Sequence, residues 1–144
     1  MSTHQTFTFP VRVYYEDTDC AGIVYYANYL KFLERGRTEW LRELGFDQDL
    51  LIEQGVAFAV THVALDYKKA ARFNDLLHVH TSVEKVGNAS LVFRQSVVSA
   101  NQPTTVFVTG IVKVACISMN GIKARPIPEQ LKAVLGAKAM SDHQ

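Results

Sequence analysis

Apolar side chains recur at helical spacing between residues 26 and 44, the longest periodic stretch of the chain. They line one helix face: Tyr26, Tyr29, Leu30, Leu33, Trp40, Leu41 and Leu44. Most charged residues of the stretch fall on the other face. A helix of this span is about 28 Å long at about 1.5 Å per residue, enough to cross a small domain. Gly45 stands where the residue after a helix takes a left-handed conformation, so we expect the helix to end there.

Strand patterns lie on both sides of this helix. Residues 6–15 alternate in part between apolar and polar side chains. Pro10 among them indicates an edge strand or a bulge, because proline donates no ladder hydrogen bond. After the helix, β-branched and aromatic residues are concentrated in four segments: 56–67, 77–86, 90–100 and 104–119. Turn residues separate the last three segments, which predicts an antiparallel meander. Short helical segments are expected at 46–54 and 129–135.

This order of elements predicts an α+β domain in which a curved, five-stranded antiparallel sheet wraps around one long central α-helix. With 144 residues the chain suits one domain, residues 1–144, with a loose tail from about residue 137. The helix has a strongly apolar side and also carries several charges. We therefore expect a second copy of the chain to cover part of it.

The composition excludes several classes of protein. Hydrophobic residues make up 48% of the chain and charged residues 20%, values that argue against disorder. A net charge of +1 does not indicate the basic surface that a nucleic-acid-binding protein would have. Any anionic ligand would have to be bound by a local group of basic residues. The sequence has neither a signal-peptide pattern nor an apolar run of about 18 residues that would cross a membrane. The only cysteines, Cys20 and Cys116, are then expected to be reduced thiols of a cytoplasmic protein.

Two acids stand just before the predicted helix. Asp17 and Asp19 flank Thr18, and a turn containing Gly22 follows them. The first backbone N–H groups of a helix lack intrahelical acceptors and lie at the positive end of its dipole, so they can bind a developing oxyanion. A carboxylate beside such donors suits the hydrolysis of an acyl group. Loop and capping roles are the alternative for these residues, and the residues by themselves favour that alternative.

The run from Asp17 to Tyr29, DTDCAGIVYYANY, resembles the signature of the 4-hydroxybenzoyl-CoA thioesterase family. Residues 32–39 and 67–75 are similar to its subgroup associated with the bacterial Tol-Pal envelope system. The resemblance extends over roughly residues 7–130. It implies a hotdog fold and hydrolysis of a short-chain or aromatic acyl-CoA to the free acid and coenzyme A. It implies no separate cofactor, because coenzyme A is part of the substrate.

The family's functional positions fall on residues of the acidic loop and the helix start. The resemblance puts the catalytic aspartate at Asp19, acting as nucleophile or as general base, and the backbone N–H that polarises the carbonyl at Tyr26. It implies substrate contacts at Gly22, Val24 and Tyr25. Members of the Tol-Pal subgroup commonly have histidine at the position of Tyr26. No acid or base role is therefore carried over to that side chain, and Asp19 takes a larger share of the chemistry.

Basic residues outside the loop are candidates to meet the phosphates of coenzyme A. Lys68, Arg72 and Lys85 are the ones we single out, and solvation of a surface loop is the alternative for each. Aromatic candidates for the acyl pocket are Tyr26, Tyr29, Phe58 and Phe73. Family members bind substrate between protomers, which implies a homodimer or homotetramer. A second hypothesis is an acyl-binding or scaffold protein of the envelope or phospholipid-synthesis machinery, with acyl carrier protein or lipid-synthesis enzymes as partners.

Other reactive residues carry weaker hypotheses. Cys20 would need His62 as its base, and no local motif of a thiol enzyme accompanies it. His78 and His80 share a strand face, but a third metal ligand is not evident, so we predict a solvent-exposed face and no metal site. Glu34 is a possible second acid, with an ion pair to a nearby arginine as the alternative. A hotdog dehydratase is disfavoured, because no histidine occurs between residues 5 and 61.

Overall fold

A computed structural model describes residues 5–139, and a six-stranded antiparallel sheet is its largest element. The strands are β1 (Phe7–Arg12), β2 (Val56–Tyr67), β3 (Leu76–Val86), β4 (Ser90–Ser99), β5 (Val106–Ser118) and β6 (Lys123–Ala124). Their order across the sheet is β1-β3-β4-β5-β2, and β6 pairs with β5. The meander predicted for β3, β4 and β5 is confirmed, and β1, which contains Pro10, lies at an edge of the sheet.

The helices are α1 (Tyr29–Glu43), α2 (Gln48–Glu53) and α3 (Glu129–Lys138). A 3-10 turn over Tyr26–Asn28 leads directly into α1, so the predicted helix begins where its apolar spacing begins. Gly45 terminates the helix as expected: it follows the C-cap residue Leu44, has a φ of +97°, and is followed by Phe46, whose N–H donates to Leu41 O at 2.8 Å. No helix within residues 5–139 is both long and apolar enough to cross a membrane.

The curved sheet packs around α1, which confirms the predicted fold. The helix lies mainly on β3 and β1 and buries Tyr29, Phe32, Leu33, Gly36, Trp40 and Leu41. A buried glutamine, Gln95, ties the helix to the sheet by donating to Leu33 O at 3.0 Å and to Thr81 Oγ1 at 2.8 Å. The position of α1 over β3 is therefore set by polar contacts as well as by apolar packing.

The structure differs from the predicted elements at the ends of the chain. The first strand stops at Arg12, because the backbone then enters a 3-10 turn over Tyr15–Asp17. The short strand β6 was not expected. Ala137 and Lys138 belong to α3, whereas the sequence predicted a tail from about residue 137. The remainder of that predicted tail, residues 140–144, lies outside the described residues.

Candidate active site

Residues 17–25, which we call the Asp19 loop, form a short hairpin. Asp19 N–H donates to Ile23 O at 2.9 Å, and Gly22 N–H donates to Asp19 O at 3.0 Å. The turn requires a φ of +82° at Gly22, a conformation that glycine adopts without strain. The Asp19 side chain is exposed, and its Oδ1 accepts the N–H of Ala21 at 2.9 Å. The hairpin therefore presents one carboxylate to solvent in a defined orientation.

The neighbouring acid, Asp17, has a different environment. It is 9% exposed, and its two carboxylate oxygens accept Asn28 Nδ2 and Tyr14 N–H, each at 2.8 Å. Its carbonyl accepts Tyr25 N–H at 3.0 Å. Asp17 thus connects the Asp19 loop with the chain leaving β1 and with the start of the helix. Of the two acids, Asp19 is the one that can contact a bound substrate.

The N–H of Tyr26 stands at the start of the 3-10 turn that continues into α1. Within residues 5–139 no acceptor pairs with it, as expected for the first residue of a helix. The Tyr67 hydroxyl donates to Tyr26 O at 3.1 Å, and the two rings meet edge to face with centroids 6.2 Å apart. The helix start therefore combines an available N–H donor with a fixed backbone.

Residues 68–75 run beside the Asp19 loop. Val24 N–H donates to Ala71 O at 2.8 Å, and Ile23 pairs with Arg72. Ala71 N–H in turn donates to the Tyr29 hydroxyl at 3.1 Å. Exposed side chains on this segment include Lys68 and Arg72, and neither makes a salt bridge with the described part of the chain. Two of the predicted phosphate-binding cations are thus brought next to the loop.

The structure places two other predicted site residues far from the loop. Lys85 lies nine residues along β3 from Leu76, about 30 Å at roughly 3.3 Å per residue. Phe58 lies near the start of β2, whereas Tyr67 at its end contacts Tyr26. Within one protomer, Lys85 and Phe58 therefore do not join the Asp19 loop. The other predicted contacts do: Gly22 and Val24 shape the hairpin, and Tyr25 lies against Tyr26 with ring centroids 5.0 Å apart.

The weaker hypotheses find little support. Cys20 is exposed, and no hydrogen bond joins it to His62 on β2 among the described residues. Those residues contain no cluster of three side chains that would hold a metal ion. The expected exposure of the His78 and His80 face is wrong, because both are half-buried. His80 contacts Thr8 Oγ1 at 3.0 Å, and burial lowers its pKa. Glu34 makes no salt bridge within the described residues.

Asn28 and Tyr67 are site residues that sequence reasoning did not assign. Asn28 is buried against Asp17, and Tyr67 holds the helix start. Burial raises the pKa of the Tyr67 phenol. Both residues lie inside the runs that carry the family resemblance, Asn28 in the first and Tyr67 in the last. That resemblance was the available signal for them, because a single polar residue in a loop or at a strand end has no periodicity.

Comparisons with known proteins agree with this architecture. The sequence profile of the Thioesterase-like superfamily matches residues 13–135. The acyl-CoA thioesterase YbgC of Haemophilus influenzae is 47% identical over 128 residues, covering 88% of this chain and 92% of that protein. The acyl-CoA thioester hydrolase YbgC of Escherichia coli O6:H1 is 41% identical over 127 residues, covering 88% and 93%.

A solved structure shows the same fold. Slr0204 of Synechocystis, a 1,4-dihydroxy-2-naphthoyl-CoA thioesterase, superposes with a TM-score of 0.85 at 22% identity, covering 92% of this chain and 96% of that one. At this identity the likeness concerns the fold alone. Together with the superfamily match, it confirms the hotdog architecture expected from the sequence.

Proposed function

The chain belongs to the Thioesterase-like superfamily, and we propose that its hydrolysis of acyl-CoA takes place between the Asp19 loop and the start of α1. Water adds across the thioester C–S bond, so the products are a free acid and the thiol of coenzyme A. The observation that carries this location is the combination of an exposed Asp19 carboxylate and an available Tyr26 N–H on one hydrogen-bonded unit.

The Tyr26 N–H polarises the thioester carbonyl in this proposal. Negative charge develops on the carbonyl oxygen as the carbon becomes tetrahedral, and an N–H donor already in place stabilises that charge without reorganisation. The positive end of the α1 dipole acts in the same direction. The Tyr26 side chain, which is 62% exposed, has no part in the chemistry.

Asp19 supplies the second half of the reaction by one of two routes. As a nucleophile, its carboxylate oxygen attacks the carbonyl carbon, coenzyme A leaves as a thiolate, and water hydrolyses the resulting anhydride. As a general base, it takes a proton from the water molecule that attacks the carbonyl directly. Its Oδ1 accepts the Ala21 N–H, so the second oxygen is the one directed to the substrate.

The basic residues beside the loop are suited to the nucleotide part of coenzyme A. Lys68 and Arg72 are exposed and lie on the segment that pairs with the Asp19 loop. We assign them to the phosphate groups, since charged nitrogen donors bind phosphate strongly. Lys85 lies at the far end of β3, so it could contact only a substrate that is bound at the Asp19 loop of another protomer.

A homodimer formed along β2 fits the sheet. β2 is twelve residues long and forms an edge of the sheet, so one row of its backbone groups has no strand partner among the described residues. Val60 on β2 is 49% exposed and Leu30 on α1 is 41% exposed. A second copy pairing along β2 would satisfy the edge and close the solvent side of the groove that both side chains line. The tetramer, the cytoplasmic location and the contact with acyl carrier protein or lipid-synthesis enzymes stay predictions.

Turnover of an acyl-CoA panel by the wild-type protein and by Asp19→Asn tests the proposal. The panel spans short-chain, aromatic and long-chain thioesters, and thiol release is measured with a chromogenic disulfide. We expect release by the wild type and almost none by Asp19→Asn, with an unchanged unfolding temperature. Glu16→Gln, which removes an exposed carboxylate three residues away, is the matched control and keeps its turnover. If Asp19→Asn turns over substrate as fast as the wild type, another residue is catalytic. If the wild type itself releases no thiol, the scaffold hypothesis is favoured.

A further inference from the structure

The helix α1 leaves part of the inner sheet surface uncovered. Because it packs mainly on β3 and β1, an apolar groove remains between α1 and the β2–β5 side of the sheet. The groove contains two cavities. The outer cavity has a volume of about 300 Å³. Its apolar wall is formed by Leu30, Val60, Val63 and Val112, and Lys31, Glu34 and Arg37 complete the lining. The inner cavity has a volume of about 100 Å³. It is lined by apolar side chains that include Phe58, Leu91, Phe93 and Val114, and by Glu34, Arg37, Thr38 and Gln48.

Arg37 lies between the two cavities. It lines both of them, together with Glu34 and Val60. Its Nη1 donates to Gln95 Oε1 at 3.0 Å, and Gln95 is 2% exposed. The guanidinium is therefore anchored to a buried side chain and cannot swing freely into solvent. Arg37 is half-buried, and this burial lowers its pKa.

We propose that the outer cavity receives the acyl chain of the substrate and that Arg37 sets the maximum length of that chain. This inference rests on the proposed function, because it starts from a carbonyl held at the Tyr26 N–H. Leu30 stands four residues after Tyr26 and Arg37 eleven, which is about 6 Å and about 16 Å along the helix at 1.5 Å per residue. A chain leaving that carbonyl along α1 reaches the outer cavity first and Arg37 afterwards.

The chemistry of the groove explains why Arg37 would act as a limit. Each methylene group that enters the apolar outer cavity strengthens binding by about fourfold. A chain that continues past Arg37 must cover a charged group that is already half-buried and remove its remaining contact with water, which is unfavourable. The inner cavity beyond it has an apolar wall of Phe58, Leu91, Phe93 and Val114 and would accept a longer chain if the Arg37 charge were absent. Glu34 also lines this cavity, but it is exposed and can turn its carboxylate to solvent. The expected substrates are therefore short and medium acyl groups that end before Arg37.

A chain-length series tests the proposal. The substrates are straight-chain acyl-CoA thioesters from acetyl to dodecanoyl, and kcat/KM is measured for each. In Arg37→Leu we expect kcat/KM for the longest chains to rise by about tenfold or more relative to the shortest, because several further methylene groups become buried. Arg42→Leu is the matched control: Arg42 lies on the same helix, is exposed and pairs with Glu39, so its chain-length profile stays that of the wild type.

Two further variants keep the test decisive if Arg37→Leu does not fold. Arg37→Gln removes the charge and retains a hydrogen-bonding partner for Gln95, so the profile shifts in the same direction. Val63→Phe fills the outer cavity and lowers kcat/KM for butyryl and longer chains more than for acetyl. Its control is Val92→Phe on β4, which by strand alternation points to the other face of the sheet.

The outcomes separate this inference from the proposed function. If Arg37→Gln and Val63→Phe fold and their profiles of kcat/KM against chain length are parallel to that of the wild type, the groove does not bind the acyl chain. This result would leave the proposed thioesterase reaction unaffected. If the wild type releases no thiol from any substrate, acetyl-CoA included, the proposed function itself is wrong.

Discussion

The Asp17 carboxylate accepts a hydrogen bond from the Asn28 side chain at 2.8 Å and is buried with it, although only Thr18 separates Asp17 from the exposed Asp19. Its second oxygen accepts the Tyr14 N–H, also at 2.8 Å. One carboxylate thus joins three parts of the site: the chain leaving β1, the Asp19 loop and the helix start. The two acids therefore differ in environment: Asp17 is buried and connects these parts, whereas Asp19 is exposed to solvent.

Substitution of Asp17 should therefore reduce stability as well as activity. Asp17→Asn turns one oxygen acceptor into a donor that faces either Asn28 Nδ2 or Tyr14 N–H, and we expect a loss of about 1–3 kcal/mol in the free energy of unfolding. Denaturation in urea, followed by circular dichroism, measures this loss. Glu16→Gln, at an exposed position next to it, should unfold like the wild type. An Asp17→Asn protein with wild-type stability would show that these hydrogen bonds do not hold the loop.

Removal of the Tyr67 hydroxyl should affect kcat more than KM. In Tyr67→Phe the hydrogen bond to Tyr26 O is lost while the ring contacts remain, so the helix start becomes less well fixed. One net hydrogen bond is worth about 1 kcal/mol, which corresponds to about fivefold in kcat. Steady-state kinetics with one short-chain acyl-CoA measures the effect. Tyr15→Phe, at a position 81% exposed, is the control. A rise in KM with unchanged kcat would assign Tyr67 to substrate binding instead.

The strands and the long helix were predictable where periodicity is strong. Dense β-branched and aromatic residues gave the bounds of β2, Val56–Tyr67, without error. The first strand was predicted too long because Val13 continues the apolar pattern and is buried, although the backbone has already left the sheet. β6 has only two residues, which is too short for any alternation to be recognised. Local pattern therefore identifies elements and leaves their exact ends to tertiary contacts.

The roles assigned to residues of the candidate site came only from the family resemblance. Composition and spacing treat Asp17 and Asp19 alike, whereas the structure buries one and exposes the other. Lys85 precedes a turn, as a loop residue at a site would, but the chain gives no sign that β3 runs away from the Asp19 loop. Proximity across a sheet depends on strand order and direction, which single-sequence patterns do not encode. Tyr67 was missed for the same reason.

The two cysteines should differ strongly in reactivity. Cys20 is exposed in the Asp19 loop, whereas Cys116 is buried, its Sγ lies 3.7 Å from Pro126 O, and burial raises its pKa. Since the thiolate is the reactive form, we expect one fast-reacting thiol in the native protein and two in denaturant. Titration with a chromogenic disulfide counts them, and Cys20→Ser should abolish the fast phase. Cys20→Ser should also keep most of the turnover, and near-total loss of activity would make Cys20 a candidate nucleophile.

The close approach of α1 to β3 should make Gly36 intolerant of a methyl group. A Cβ added at Gly36 would stand 2.9 Å from Val79 Cγ1 and 3.1 Å from Thr81 Oγ1, so the helix or the sheet must shift. Alanine normally stabilises a helix interior by up to about 1 kcal/mol relative to glycine, but overpacking costs about 1–3 kcal/mol, and we expect Gly36→Ala to be destabilising overall. Gly136 in α3 is the matched control, because an added Cβ there meets no atom within 4 Å. Gly136→Ala should raise the unfolding temperature while Gly36→Ala lowers it, and a rise in both would show that α1 can move away from β3 without cost.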